Sequence, residues 1–176
     1  PDIGRLVFSA LLSDTGTLQS PAATDGDRRA IEALERITGL SRDEQTRRLF
    51  SRLRALQERD PHDVVGADFK VYEEAGLRFG IGQAEVTTLV DARSYAERLE
   101  SALEDVAREK GLAWTMLMIT DVVKGDSLLL TNGFSEGDAK LIYQRLDEGM
   151  YRMPGVLSRK KQLLPEVVRV ATELGE

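Results

Sequence analysis

Before Pro61 the apolar residues of this chain recur at helical spacing, and after it they alternate; the two stretches therefore cannot share one kind of secondary structure. Ile3, Leu6, Val7, Ala10 and Leu11 form a stripe on a first short helix, which expects a neighbour to cover it. Thr24 followed by Asp27 reads as a helix cap, Ala30, Ile31, Leu34 and Ile37 continue that helix, and Gly39 stops it. Ser41 and Glu44 make a capping box for a third helix with Leu49, Phe50, Leu53 and Leu56 inward, ended by Asp60 and Pro61. Beyond Pro61, Phe69 and Val71, then Leu77, Phe79 and Ile81, are spaced by two around Ala75-Gly76, which predicts a hairpin. A helix from about Ser94 to Lys110, apolar runs at 114–119 and 128–130 of strand length, a further helix over Gly137 to Leu146 and a short strand at Met150 to Met153 follow. Pro154-Gly155 then breaks the chain before a basic segment. The fold expected is α/β: an N-terminal helical segment over 1–58, a linker over 59–63, and a domain over 64–176 with a mixed β-sheet flanked by helices.

Charge narrows the partners. With 30 acidic against 24 basic residues the net charge is −6, the wrong sign for a chain that grips nucleic acid, so any anion must be held by a local basic cluster. The longest apolar runs, such as Met116 to Ile119, fall far short of the roughly 20 residues that span a bilayer. Neither a membrane span nor a secretory leader is expected. The absence of cysteine removes disulfides and thiolate metal sites, and fits a reducing, cytoplasmic setting. A start at Pro1 rather than Met points to a processed or excised chain.

The clearest local anomaly is Ser158-Arg159-Lys160-Lys161-Gln162, three adjacent cations in an acidic chain, set just after the Pro-Gly break. Arginine offers a planar fork of donors and lysine a mobile point charge, so the segment can hold phosphate oxygens; a solvated patch on a terminal helix would look the same. Lys70 sits inside a predicted strand and reads equally as an anion contact or as a solvent-facing strand residue. Asp14, at the end of the first helix, is either a metal ligand or a helix-terminal polar residue. Gly80-Ile-Gly82 lacks the remaining residues of both glycine-rich nucleotide fingerprints and marks a strand kink or close packing. His62, the single histidine, stands beside Pro61 in the expected linker, a poor place for a catalytic triad. Asp25-Gly-Asp27 is too short for a calcium loop and reads as a helix start.

Taken together, Phe8-Ser-Ala-Leu-Leu-Ser-Asp14-Thr, Ser20-Pro21, Asp68-Phe-Lys70, Gly80-Ile-Gly-Gln83, Ile119-Thr-Asp121 and Pro154-Gly-Val-Leu-Ser-Arg-Lys-Lys-Gln162 resemble, in order and spacing, the C-terminal part of the family II, manganese-dependent inorganic pyrophosphatases of the DHH phosphoesterase superfamily. In that family two domains joined by a linker close over pyrophosphate, and a two-metal cluster is held by the N-terminal DHH domain. The resemblance implies that Asp14 is the last of those metal ligands and that Lys70, Arg159 and Lys160 grip the substrate phosphate. It implies Mn2+ as the cofactor, since hard ligands suit that metal and a metal pair lowers the pKa of an attacking water. Cations that neutralise the oxygens of so charged a substrate lower its barrier to hydrolysis.

The departures define further expectations. The DHH motif and the other metal ligands are absent, so this chain alone is expected to be inactive, with no residue assigned to the chemical step. The apolar faces of its first helices should be uncovered or buried by self-association, which makes a homodimer an expectation. Gln19 stands where pyrophosphatases commonly carry a lysine. An exopolyphosphatase of the same superfamily, or a non-catalytic module that senses phosphate or nucleotide, are the alternative functions.

Overall fold

The structure is a computed structural model that describes residues 2–18, 23–50 and 55–175. Gln19, Ser20, Pro21 and Leu53, named above, lie outside the described residues.

Three helices come first: α1 (Asp2–Asp14), α2 (Asp25–Thr38) and α3 (Arg42–Phe50). Thr24 accepts a hydrogen bond from the Asp27 N–H while the Asp27 carboxylate accepts from the Thr24 N–H, so two otherwise orphaned donors are satisfied reciprocally. Gly39, in the left-handed region at φ 69°, closes α2. The Ser41 hydroxyl accepts from the Glu44 N–H to start α3. These helices share a small core of Phe8, Leu12, Ile31 and Leu40.

The stripe expected to be covered on α1 is mostly open. Ile3 is 79% and Leu6 71% exposed, and the buried pair is Phe8 and Leu12. The physical reason is that apolar residues run round nearly the whole of α1, while α2 and α3 cover one side of it; there Gln45 donates to the Ser9 hydroxyl at 2.6 Å. The third helix is also shorter than expected. Leu56 is buried, but in a 3₁₀ turn at Leu56–Glu58, and it packs with the sheet rather than with the helical core. Asp60 and Pro61, expected to end the third helix, instead start a new one: the Asp60 carboxylate accepts from the His62 and Asp63 N–H groups, and Pro61 opens α4 (Pro61–Gly66), where its missing N–H costs nothing.

The sheet contains β1 (Phe69–Glu74), β2 (Leu77–Val86), β3 (Trp114–Asp121), β4 (Asp126–Asn132), β5 (Gln144–Asp147) and β6 (Met150–Pro154), in the order β1-β2-β3-β4-β6-β5. Only β2 and β3 are parallel; α5 (Ala96–Lys110) crosses between them, because a parallel neighbour cannot be reached through a tight turn. Every residue of β3 is buried, as a continuous apolar run requires of a strand covered on both faces. On one face α4 and α5 bury Val64, Leu99 and Leu103 against Leu117 and Ile119. On the other, α7 (Leu164–Gly175) buries Val167 and Val170 against Ile81, Met116 and Met118. Gly82 is where β2 must lack a side chain: a Cβ there would stand 2.8 Å from the Val65 carbonyl oxygen.

The stretch from Gly137 to Leu146, expected as one helix, divides into α6 (Ser135–Lys140) and β5. Leu141 is extended at ψ 136°, and the Ile142 N–H donates to the Glu166 carboxylate at 3.0 Å instead of to a helical carbonyl. None of the described helices is long and apolar enough to cross a membrane.

Candidate functional site

The carboxyl ends of the parallel pair β2 and β3 open onto a cleft of about 260 Å³, as is usual for ligand sites in sheets with crossover helices. Ser13, Asp14 and Gly16, from the end of α1, form one wall. Gln83, Glu85, Thr120 and Val122 form the floor, and Leu157 to Lys160 the other wall. The Thr17 hydroxyl donates to the Val122 carbonyl at 3.4 Å, tying the helical segment to the turn after β3.

The basic wall is held by polar side chains from two strands, Gln83 of β2 and Ser127 of β4, and by Gln162. Pro154-Gly155 leaves β6 with Gly155 at φ 71°. The Ser127 hydroxyl then donates to the Val156 carbonyl at 2.5 Å, and the Gln83 amide donates to the Leu157 carbonyl at 3.3 Å. Gln162 reaches back, accepting from the Leu157 and Ser158 N–H groups at 2.9 and 3.0 Å. Ser158 caps the next turn through the Lys161 N–H. That turn, Arg159–Leu163, is wound as a π turn, with the Leu163 N–H reaching the Ser158 carbonyl five residues back, before α7 continues. Such turns recur at functional sites because they displace a side chain from regular helical phase. The first N–H groups of the turn have no partner in the helix and carry its positive end, which favours an anion beside them.

Arg159 is the most constrained side chain here. It is only 12% exposed; Nη2 stands 3.1 Å from the Asp68 carboxylate, and Nη1 donates to the carbonyls of Asp68 and, at 3.3 Å, Ile81. Its Nε is buried and has no partner among the described residues. A buried N–H without an acceptor costs about 1–3 kcal/mol, so the group asks for a ligand or an explanation. Lys160 is exposed and, among the described residues, has no ion-pair partner. Glu85 lines the cleft, and its carboxyl is raised from its ordinary pKa, first by burial and then by the Asp68 charge. Asp121, fully buried at the end of β3, accepts from the Val123 and Lys124 N–H groups at 2.9 and 2.8 Å and so shapes the turn that meets Thr17.

Of the residues singled out in the sequence, Asp14, Arg159 and Lys160 share this cleft. Lys70 is outside its lining: it is exposed on the edge strand β1, opposite Ile81, and by register lies on the same sheet face as the basic wall. Asp68, Gln83, Thr120, Ser127 and Glu85 had no assigned role. The available signal was the run of polar residues in otherwise apolar strands. Among the described residues, no group of three or more His, Cys, Asp or Glu side chains is placed to hold a metal ion, so Asp14 alone does not make a metal centre.

Residues 47–170 match the family model of the DHHA2 domain. The chain belongs to the DHHA2 domain family. Among relatives of this DHHA2 chain, the probable manganese-dependent inorganic pyrophosphatase of Lactobacillus gasseri is 32% identical over 93% of the chain and 54% of that protein. The manganese-dependent inorganic pyrophosphatase of Methanocaldococcus jannaschii is 31% identical over 96% of the chain and 55% of that protein. A crystal structure from Methanococcus jannaschii, described as a family II inorganic pyrophosphatase, superposes with a TM-score of 0.79 at 30% identity, over 98% of the chain and 56% of its own. The DHHA2 chain thus spans about half the length of the curated relatives it matches.

Proposed function

We propose that this chain is the cationic, substrate-holding part of a two-domain manganese-dependent inorganic pyrophosphatase, which hydrolyses pyrophosphate to two phosphates. The observation that carries the reading is the cleft itself: an aspartate from the helical segment faces an arginine and a lysine from the π turn that precedes α7 across one small opening. Arg159 and Lys160 bind the phosphate oxygens, the arginine as a rigid planar donor and the lysine as a mobile charge. Lys70, on the same sheet face, meets the far end of the anion. Asp14 contributes one ligand to manganese whose other ligands come from outside this chain, and the segments proposed as separate units, 1–58 and 64–176, supply the two walls.

The chain's own residues hold and orient an anion, and among the described residues no group of three or more His, Cys, Asp or Glu side chains is placed to hold a metal that would activate water. Manganese-dependent release of phosphate from pyrophosphate tests this, measured for the chain alone and for the same sequence carried in a full two-domain enzyme, each with and without Arg159→Ala. Release only from the two-domain form, falling by about a hundredfold in the variant, is the expected outcome for an oriented charge contact to the transferred group. Hydrolysis by the chain alone, or full activity with Arg159→Ala, would overturn the reading.

A further inference from the structure

We propose that Asp68 is a positioning residue for Arg159: it holds the guanidinium by one end, so that the side edge of the fork, Nε–H and the neighbouring Nη2–H, is left for an anion. The inference deepens the reading above and rests on it for the identity of that anion.

Three acceptors converge on the far end of the guanidinium. They are the Asp68 main-chain carbonyl, the Ile81 carbonyl at 3.3 Å and the Asp68 carboxylate at 3.1 Å. Asp68 immediately precedes β1, and its carbonyl also accepts from the Gln83 N–H at 3.1 Å, so the anchor is fixed by the sheet. The main-chain acceptors are neutral and, by themselves, would let the fork swing about Nη1. The carboxylate adds a charge-assisted bond at Nη2 and sets the plane. Guanidinium geometry then dictates what is left: Nε–H and the second Nη2 hydrogen lie side by side, the spacing that two phosphate oxygens accept. Nε is buried without a partner, so an anion reaches that edge only when the atoms covering Nε give way. Asp68 is itself 51% exposed, so its role in packing is small.

A negative charge beside an anion site also carries an opposing effect, since Asp68 repels pyrophosphate through space. The two effects predict opposite signs, which makes the proposal testable. The measurement is pyrophosphate binding by the chain in metal-free buffer, by calorimetry, together with the side-chain Nε–H resonance of Arg159 in a 15N-labelled sample, assigned by its loss in Arg159→Lys. In the unaltered chain that resonance should be sharp, slow to exchange and moved by pyrophosphate. Asp68→Asn, which keeps the shape and main-chain carbonyl, should broaden it and weaken binding by about tenfold, the equivalent of one charge-assisted hydrogen bond. Asp68→Glu should recover part of the loss. In an Arg159→Ala background Asp68→Asn should weaken binding no further, since only the relief of repulsion is then left.

Binding that stays equal or tightens in Asp68→Asn with a sharp Nε–H would overturn the proposal, because repulsion would then outweigh positioning. Should Asp68→Asn fail to fold, the unaltered chain still decides: a fast-exchanging, averaged Nε–H there means that Arg159 is not held. Failure of the pyrophosphate reading looks different. In that case pyrophosphate moves no resonance and Arg159→Ala leaves binding unchanged, while broadening of Nε–H in Asp68→Asn still supports the positioning role.

Discussion

Asp138 illustrates what half-burial does to a carboxylate whose direct partners are neutral. It accepts from the Trp114 indole N–H at 2.9 Å and the Thr131 hydroxyl at 2.8 Å, yet its pKa is raised, because desolvation outweighs those bonds. A carboxyl raised in the folded state holds its proton longer there than in the unfolded chain. Its stabilising contribution is therefore present below the ordinary aspartate range and is lost as pH rises through the folded value. Asp138→Asn should flatten that part of the pH dependence, measured by urea unfolding between pH 4 and 7. Asp138→Ala leaves the Trp114 N–H buried without an acceptor and should cost about 1–3 kcal/mol at any pH in that range. At this scale the residues by themselves marked only the cluster with Arg159 and Lys160 as unusual, and the resemblance alone implied that Asp14 belongs with them, since spacing along a chain does not report distance across a fold. The role of Asp68 was equally invisible: a single acidic residue before a strand looks like any turn residue until its partner is seen.

Elements were legible where local chemistry and tertiary packing agree. The hairpin at Ala75-Gly76, the helix ending near Lys110 and the strand over Trp114 to Ile119 were all predicted, because each carries its own signal in turn residues, helical spacing or a continuous apolar run. The strand β5 was not, because all four of its side chains are exposed and no alternation marks it; it is defined by pairing to β6, which is a tertiary fact. The same distinction separates two glycines. Gly76 has φ 78° and open space around its Cα, whereas Gly82 has an ordinary φ and a carbonyl where its Cβ would be. Gly76→Asn should cost under about 1 kcal/mol, since asparagine enters the left-handed region readily. Gly82→Ala, the smaller addition, should cost about 1–3 kcal/mol by forcing β2 from α4. Equal losses in a thermal unfolding comparison would show that packing between α4 and β2 is looser than the geometry states.

For the whole molecule, the open face of α1 has a consequence for solution behaviour. Ile3, Leu6 and Val7 lie exposed on one helix, and a second copy of the chain is the simplest cover, which keeps the expected homodimer as a proposal. Sedimentation velocity should show mass rising with concentration, and Leu6→Glu should abolish the rise while changing stability by less than about 0.5 kcal/mol, as for an exposed site. A monomer at every concentration would remove the proposal. How the helical segment sits on the sheet was the least legible feature, because it turns on contacts such as Thr17 to Val122 between residues far apart in sequence. The cleft shares that property: its walls come from 13–16, 83–85, 120–122 and 157–160. A cleft whose walls lie that far apart along the chain is made of non-local contacts, so it should form in step with the sheet and not ahead of it.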